Sequence, residues 1–288
     1  MNLFEALMIF GDYTIDVKNA GLFRLDGGAM FGIVPKVLWQ EKNPPDERNR
    51  ISMCNNLALV RGKEKTILVD AGNSETIDEK FRDIYGLDNS RFSLNRFLSS
   101  LGVQYGDVTD VVLTHLHFDH SGGTVKKELN GTIVPAFPNA TFYVQKKQYE
   151  WALKPSFKDK ASFIKDNFVP LMEAGKLELL DGEGELFSGF ELLTFDGHTP
   201  GQQLPLIHGD STKFFFGGDL FPMKSHVSVP WVMAYDIEPL KSIAEKKSIL
   251  QRAVDENWVI LFEHDPNHPG GTIEKIEKAY GVKEEIFF

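Results

Sequence analysis

The chain has 288 residues, 42% hydrophobic and 25% charged, with a net charge of −10. That is the composition of a soluble globular protein, and the length suits one large domain spanning 1–288. The acidity, with no basic run longer than Lys126-Lys127 or Lys246-Lys247, argues against nucleic acid as a partner, and no stretch nears the ~20 apolar residues that cross a bilayer.

In chain order, Met1–Glu5 lacks the basic start of a signal peptide, so the expected setting is cytoplasmic. Residues 22–34 read as two strands joined around Gly27-Gly28, and 35–50, with Pro44-Pro45, as a loop. The single cysteine, Cys54, excludes an intrachain disulfide and reads as a buried, inert thiol. Asn55–Val60 and Thr66–Val69 form strands around a turn at 61–65, and the second ends in Asp70-Ala-Gly72. On spacing alone Asp70 reads as a turn-former; the other reading is a carboxylate behind a metal ligand. Ser93 caps a helix with Leu94, Phe97, Leu98 and Leu101 on one face, closed by Gly102. A strand over 110–114 follows, then one over 141–144 and a helix over 161–174.

Short strands are expected at 177–180, 185–187, 190–195, 203–207 and 213–216, with loops at Asp196–Gly201 and Gly217–Asp219. Residues 220–235 are apolar without periodicity. Pro239 opens a helix to about Asn257. Strands at 259–262 and 272–276 complete the chain, with Glu263-His264-Asp265 at the end of the first.

One stretch carries the chemistry. Thr114-His-Leu-His-Phe-Asp-His120 holds three of the eight histidines and an aspartate, between an apolar strand and Ser121-Gly-Gly123. Imidazole and carboxylate together suit zinc and its first-row neighbours. His198, Asp219 and His264 each follow a later apolar strand. Five histidines and two aspartates are too many ligands for one catalytic zinc and suit two ions. His208 and His268 read as surface residues.

This pattern resembles the metallo-β-lactamase superfamily. His115-x-His117-x-Asp119-His120, His198 in Gly-His-Thr-Pro-Gly, Asp219 in Gly-Gly-Asp and His264 match its motifs in order and rough spacing over about residues 55–265. The resemblance implies a four-layer αβ/βα sandwich, an α/β (α+β) fold with the metals at one edge of two inner sheets. It implies that His115, His117 and His198 hold one ion, that Asp119, His120 and His264 hold the other, and that Asp219 bridges. It also moves Asp70 behind the ligands. Two divalent ions, zinc first with manganese, iron or cobalt as alternatives, can acidify a water between them and polarise an acyl oxygen. Asp119 then acts catalytically by orienting the nucleophile or passing a proton.

Within the superfamily, true β-lactamases generally lack the bridging aspartate and many use a cysteine ligand. Flavin-linked di-iron members carry Glu where His117 or Asp119 stands here. The ligand set is similar to that of N-acyl homoserine lactonases and related esterases. The alternatives are hydrolysis of another small ester, thioester or phosphotriester, or a non-hydrolytic iron redox or metal-binding protein. Met30, Phe221, His226, Trp231 and Tyr235 are the expected contacts to a small-molecule substrate; the competing use of the 220–235 segment is core or a homodimer contact. Some lactonases have a tyrosine three residues after the bridging aspartate. Here that residue is Pro222, and Tyr235 is the candidate to replace it.

Overall fold

The computed structural model describes residues 8–74 and 78–288, so the reading of Met1–Glu5 lies outside the described residues. The first half of the chain builds one mixed sheet. Its strands are β1 (Met8–Phe10), β2 (Tyr13–Asp26), β3 (Arg50–Arg61), β4 (Thr66–Val69) and β5 (Asp110–Val112), then, beyond a small hairpin of β6 (Val125–Lys127) and β7 (Ile133–Pro135), β8 (Thr141–Gln145) and β9 (Leu177–Leu180). The second half builds the other sheet in plain order: β10 (Gly184–Phe187), β11 (Phe190–Phe195), β12 (Gln202–His208), β13 (Lys213–Phe216), β14 (Trp258–Leu261), β15 (Gly270–Ile276) and β16 (Ala279–Ile286).

The period-2 pattern of the strands sorts side chains into layers. Ile67 and Val69 of β4 meet Phe214 and Phe216 of β13 in the core between the sheets. Leu68 points the other way, into a core with Leu94, Phe97 and Leu98 of α4 (Leu94–Ser100). Phe215 likewise turns outward onto Ile249, Leu250 and Ala253 of α8 (Pro239–Asp255). Strands covered on both faces read as unbroken apolar runs, as Leu57–Val60 of β3 and Phe214–Phe216 of β13 do. The four layers expected from the resemblance are present. The Ser93 cap also holds: its Oγ accepts from Arg96 N at 3.2 Å, and Gly102 follows in the left-handed region at φ 69°.

Several local expectations fail. The second strand of the 22–34 pair is absent; α1 (Gly27–Phe31) takes its place, capped by Asp26, whose Oδ1 accepts from Ala29 N at 2.9 Å. A short helix, α2 (Lys36–Trp39), interrupts the expected 35–50 loop. The continuous helix over 161–174 is broken into single turns at Lys160–Ser162 and Lys165–Asn167. Only α7 (Val169–Glu173) is α-helical there, because Pro170 is tolerated in a first turn and not in an interior. Two helices carried no clear signal: α3 (Glu79–Tyr85), capped by Asp78, and α6 (Lys146–Leu153).

Candidate metal centre and its cavity

The motif loop leaves β5 at Val112 and enters a single helical turn, α5 (Phe118–Ser121). Neighbouring backbone fixes it. Asn55 Nδ2 donates to Asp119 O at 2.9 Å, and Ala71 N donates to His120 O at 2.8 Å. The Gly122-Gly123 pair has a steric reason. A Cβ on Gly122 would meet Ser74 N at 2.1 Å, and one on Gly123 would meet Ala71 O at 2.4 Å. From the other sheet, Gln203 latches this edge: its N donates to Thr114 O at 2.8 Å and its Nε2 to Leu113 O at 2.9 Å.

All seven expected ligands come together, each 9% exposed or less. Ligand atoms of His115, His117, His198 and Asp219 lie within 4.8 Å of one another, as do those of Asp119, His120 and His264. His117 Nδ1 is 3.0 Å from His115 Nε2 and 3.2 Å from His198 Nε2, and His120 Nε2 is 3.2 Å from His264 Nε2. Metal–nitrogen bonds of about 2.0–2.1 Å place tetrahedral neighbours roughly 3.3 Å apart, so these spacings fit a shared ion in each group. Asp219 spans both, with Oδ2 3.0 Å from His198 Nε2 and Oδ1 3.0 Å from His264 Nε2. That Oδ1 is buried yet makes no hydrogen bond among the described residues, as befits an oxygen kept for a cation.

The far side of every imidazole but His117, whose Nε2 has no hydrogen-bond partner among the described residues, is tied down. His198 Nδ1 is 2.9 Å from Asp236 Oδ1, and His264 Nδ1 donates to Cys54 O at 2.9 Å. His115 Nδ1 is 2.9 Å from Thr114 Oγ1. Asp70, at φ 58°, does turn the chain, but its carboxylate also accepts from Thr114 N and Thr114 Oγ1, both at 2.7 Å, and lies 2.9 Å from His120 Nδ1. It therefore sits behind the ligands. Cys54 is fully buried, and burial pushes its thiol pKa well up, the state of an inert side chain.

The electrostatics describe a cage short of positive charge. Burial opposes a charged His198 or His264, yet Asp219, with Asp236 behind His198 and Glu263 beside His264, pushes both up to about 9. Burial also opposes a charged His120, but Glu263, Asp119, Asp219 and Asp70 hold it well above the usual imidazole range. Burial and neighbouring imidazoles hold His115 and His117 well below it. Burial would raise Asp219, but His198, His120 and His264 keep it well below the usual carboxylate range. Divalent cations are the charge such a set of donors fits.

A cavity of about 310 Å³ opens on the cage. Asp119, His117, His198, Asp219 and His264 form its floor, and Leu25, Met30, Met53, Phe118 and Met233 give it an apolar wall. Tyr85 and Tyr235 also line it. Burial raises both phenols, assisted by Asp119 beside Tyr85 and by Tyr85 and Asp26 beside Tyr235, so both stay protonated at neutral pH. Lys158 Nζ, at the same cavity, donates to Tyr235 O at 3.1 Å.

Of the expected substrate contacts, Met30 and Tyr235 line this cavity; Phe221, His226 and Trp231 do not. Phe221 is fully buried in the core under α8. His226 is buried against Phe31, with rings stacked at 5.0 Å, and donates Nε2 to Met30 O at 2.9 Å. Trp231 packs edge-on against Phe31. These residues support the wall from behind. The sequence reading missed Asp236, Tyr85 and Met53, which carry no motif. It also gave no role to Glu263, although that residue adjoins His264 at a strand end.

The Metallo-beta-lactamase superfamily profile matches residues 55–273. Among curated proteins, an N-acyl homoserine lactonase of Bacillus thuringiensis is 28% identical over 224 residues, covering 72% of this chain and 79% of that one. The N-acyl homoserine lactonase AttM of Agrobacterium fabrum is 24% identical, covering 69% and 77%. Among solved structures, a probable metal-dependent hydrolase from Staphylococcus aureus is 30% identical with a TM-score of 0.85, covering 97% of this chain and all of that one. AidC, a dizinc quorum-quenching lactonase solved with its product, is 21% identical with a TM-score of 0.76, covering 98% and 97%.

Proposed function

The chain belongs to the metallo-β-lactamase superfamily and is a hydrolase, and from that premise we propose that it opens the ring ester of N-acyl homoserine lactones. The carrying observation is the conjunction of a cage in which Asp219 spans two ligand groups with an apolar cavity that opens directly onto it. His115, His117 and His198 would hold one ion, Asp119, His120 and His264 the other, and Asp219 both, with zinc in each position. When bound, the two cations supply an acidified water and a Lewis acid for the acyl oxygen.

The chain's own residues supply the rest. The methionine wall takes the acyl chain; thioethers on flexible stems adapt to its shape and length. The Tyr235 and Tyr85 phenols donate hydrogen bonds to the amide and ester carbonyls. Water adds its oxygen to the ester carbon and gives one proton to Asp119, the ring C–O bond breaks, Asp119 passes that proton to the leaving alkoxide, and the other is released to solvent as the new acid ionises. The product is an acyl homoserine carboxylate. The unit is the whole span 1–288. A single buried thiol suits a reducing cytoplasm, and the exposed Ile33, Val37 and Leu38 support a homodimer.

The test is a panel of acyl homoserine lactones, aryl esters, thioesters and phosphotriesters, with metal analysis of the same protein. Lactone opening that exceeds the other activities at least tenfold, with two ions per chain, is expected. Preference for a phosphotriester or aryl ester would replace the substrate. Iron with oxygen consumption and no hydrolysis would overturn the reading.

A further inference from the structure

Glu263 opens the turn after β14, one residue before His264, and is fully buried. Its Oε2 lies 3.3 Å from His120 Nδ1. The same nitrogen is 2.9 Å from Asp70 Oδ2. Two buried carboxylates thus face one ring nitrogen, and an imidazole nitrogen carries at most one proton. With Nε2 turned toward His264 and Asp219, that proton belongs on Nδ1. Asp70 takes it. It is closer and is itself oriented by both Thr114 groups. Neither oxygen of Glu263 has a hydrogen-bond partner among the described residues.

A buried carboxylate without hydrogen bonds is costly unless a positive charge faces it. The trio Asp70, His120 and Glu263 is not a third metal site, because a protonated Nδ1 has no lone pair to give. The positive charge that suits Glu263 is therefore one carried through His120 and His264, the two imidazoles it adjoins. The other ligand group lacks this device. Behind it stand one carboxylate, Asp236 on His198, and the neutral Thr114 hydroxyl on His115.

Resting on the two-ion reading above, we propose that Glu263 is a positioning residue for the cation at Asp119, His120 and His264, and that its charge selectively tightens that position. Carboxylates behind metal-bound imidazoles are typically worth about 10–100-fold in metal affinity. The ion and the carboxylate stabilise each other, so each is less stable alone.

The experiment follows metal release from the loaded protein to a chromophoric chelator, in wild type and in Glu263→Gln. Each is also measured in His198→Ala, which weakens the first group, and in His264→Ala, which weakens the second. Glu263→Gln is expected to loosen one ion about tenfold or more, in wild type and in His198→Ala, and to change little in His264→Ala. Glu263→Asp, which keeps the charge, is expected to retain more affinity than Glu263→Gln. Thermal melts add an independent readout. Glu263→Gln lowers the melt of the loaded protein, but leaves it unchanged or raises it in excess chelator.

Two ions released at wild-type rates from Glu263→Gln would overturn the proposal and leave the hydrolase reading intact. Equal losses in Glu263→Gln and Glu263→Asp would mean packing rather than charge and overturn it too. So would a Glu263→Gln protein that cannot fold even with metal present. A wild-type chain that takes up fewer than two ions fails the cage reading itself, and this proposal with it.

Discussion

The floor of the cavity and its wall are built on opposite principles. In the floor and the cage beneath it, four elements repeat one device: a candidate ligand stands three residues past the end of a buried strand. Val112 leads to His115, Phe195 to His198, Phe216 to Asp219 and Leu261 to His264. The strands are held on both faces, so their ends converge with little freedom. The wall is mixed: Leu25 and Met53 stand on β2 and β3, but Met30, Phe118 and Met233 come from short helices and a loop. Ala234 N donates to Ala29 O at 2.8 Å, and Lys246 Nζ donates to Ser228 O and Trp231 O at 3.0 and 2.6 Å. Burial holds that lysine down to about 7. On the proposed function, chemistry sits on the rigid part and substrate choice on the adaptable one, a division that lets one cage serve many substrates.

The strongest way to break this division is to remove a floor residue and ask whether the wall survives. His117→Ala should lose an ion and lower kcat/KM by roughly 10³-fold or more, since Lewis-acid stabilisation is worth several kcal/mol. The cavity itself should persist, so a product-like acyl homoserine should still protect the variant against thermal unfolding. A variant that loses both activity and binding would show that floor and wall are one unit. Tyr235→Phe comes next. It removes one donor from the cavity and should cost about 10²-fold in kcat, as loss of an oxyanion donor does, with two ions still bound. An unchanged kcat would give that role to Tyr85.

Pure wall changes should be smaller and of another kind. Met233→Ala removes apolar surface that an acyl chain would cover, about 1–2 kcal/mol, so KM for long-chain lactones should rise roughly tenfold with kcat little changed. Short-chain lactones should be nearly indifferent. Equal effects on both would show that Met233 shapes the floor.

The same division explains what could be read from the sequence. His115, His117, Asp119 and His120 crowd into six residues, His198 and Asp219 follow apolar runs closed by glycine, and His264 follows one closed by a turn, so local pattern locates these candidate ligands. The four layers followed from strand periodicity together with the resemblance. The wall has no such local cause. Met233 lines the cavity while Phe221 and Trp231 do not, because α1 packs where a second strand was expected. That choice depends on the Asp26 cap and on Trp39, whose ring leaves no room for a Cβ on Gly27, at 2.4 Å. Glu263 was visible as a residue, but its role depends on His120, 143 positions away, and no spacing encodes that contact.

The smallest expected effect tests the boundary between the two regions. The loop Asp196–Gly201 carries His198 into the floor, yet its first residue is anchored at the surface. Asp196 accepts from Lys147 Nζ at 2.7 Å, Lys241 Nζ at 2.8 Å and Gly201 N at 2.8 Å. Burial would raise its pKa, but the two lysines and Gly201 N lower it to about 2. The folded value lies below the ordinary one, so between about 4 and about 2 the unfolded chain binds more protons. The stability Asp196 contributes is therefore present above about pH 4 and is lost as pH falls toward 2. Both lysines are well exposed, at 61% and 43%, so screening keeps the contribution near ~1 kcal/mol. Unfolding free energies from urea titration of wild type and Asp196→Asn should differ by that amount at pH 7 and converge as the pH falls to about 2. The ions bound at pH 7 should not change. If Asp196→Asn released the His198 ion, the floor would depend on a surface anchor, and the separation between rigid chemistry and adaptable surroundings would fail at this loop.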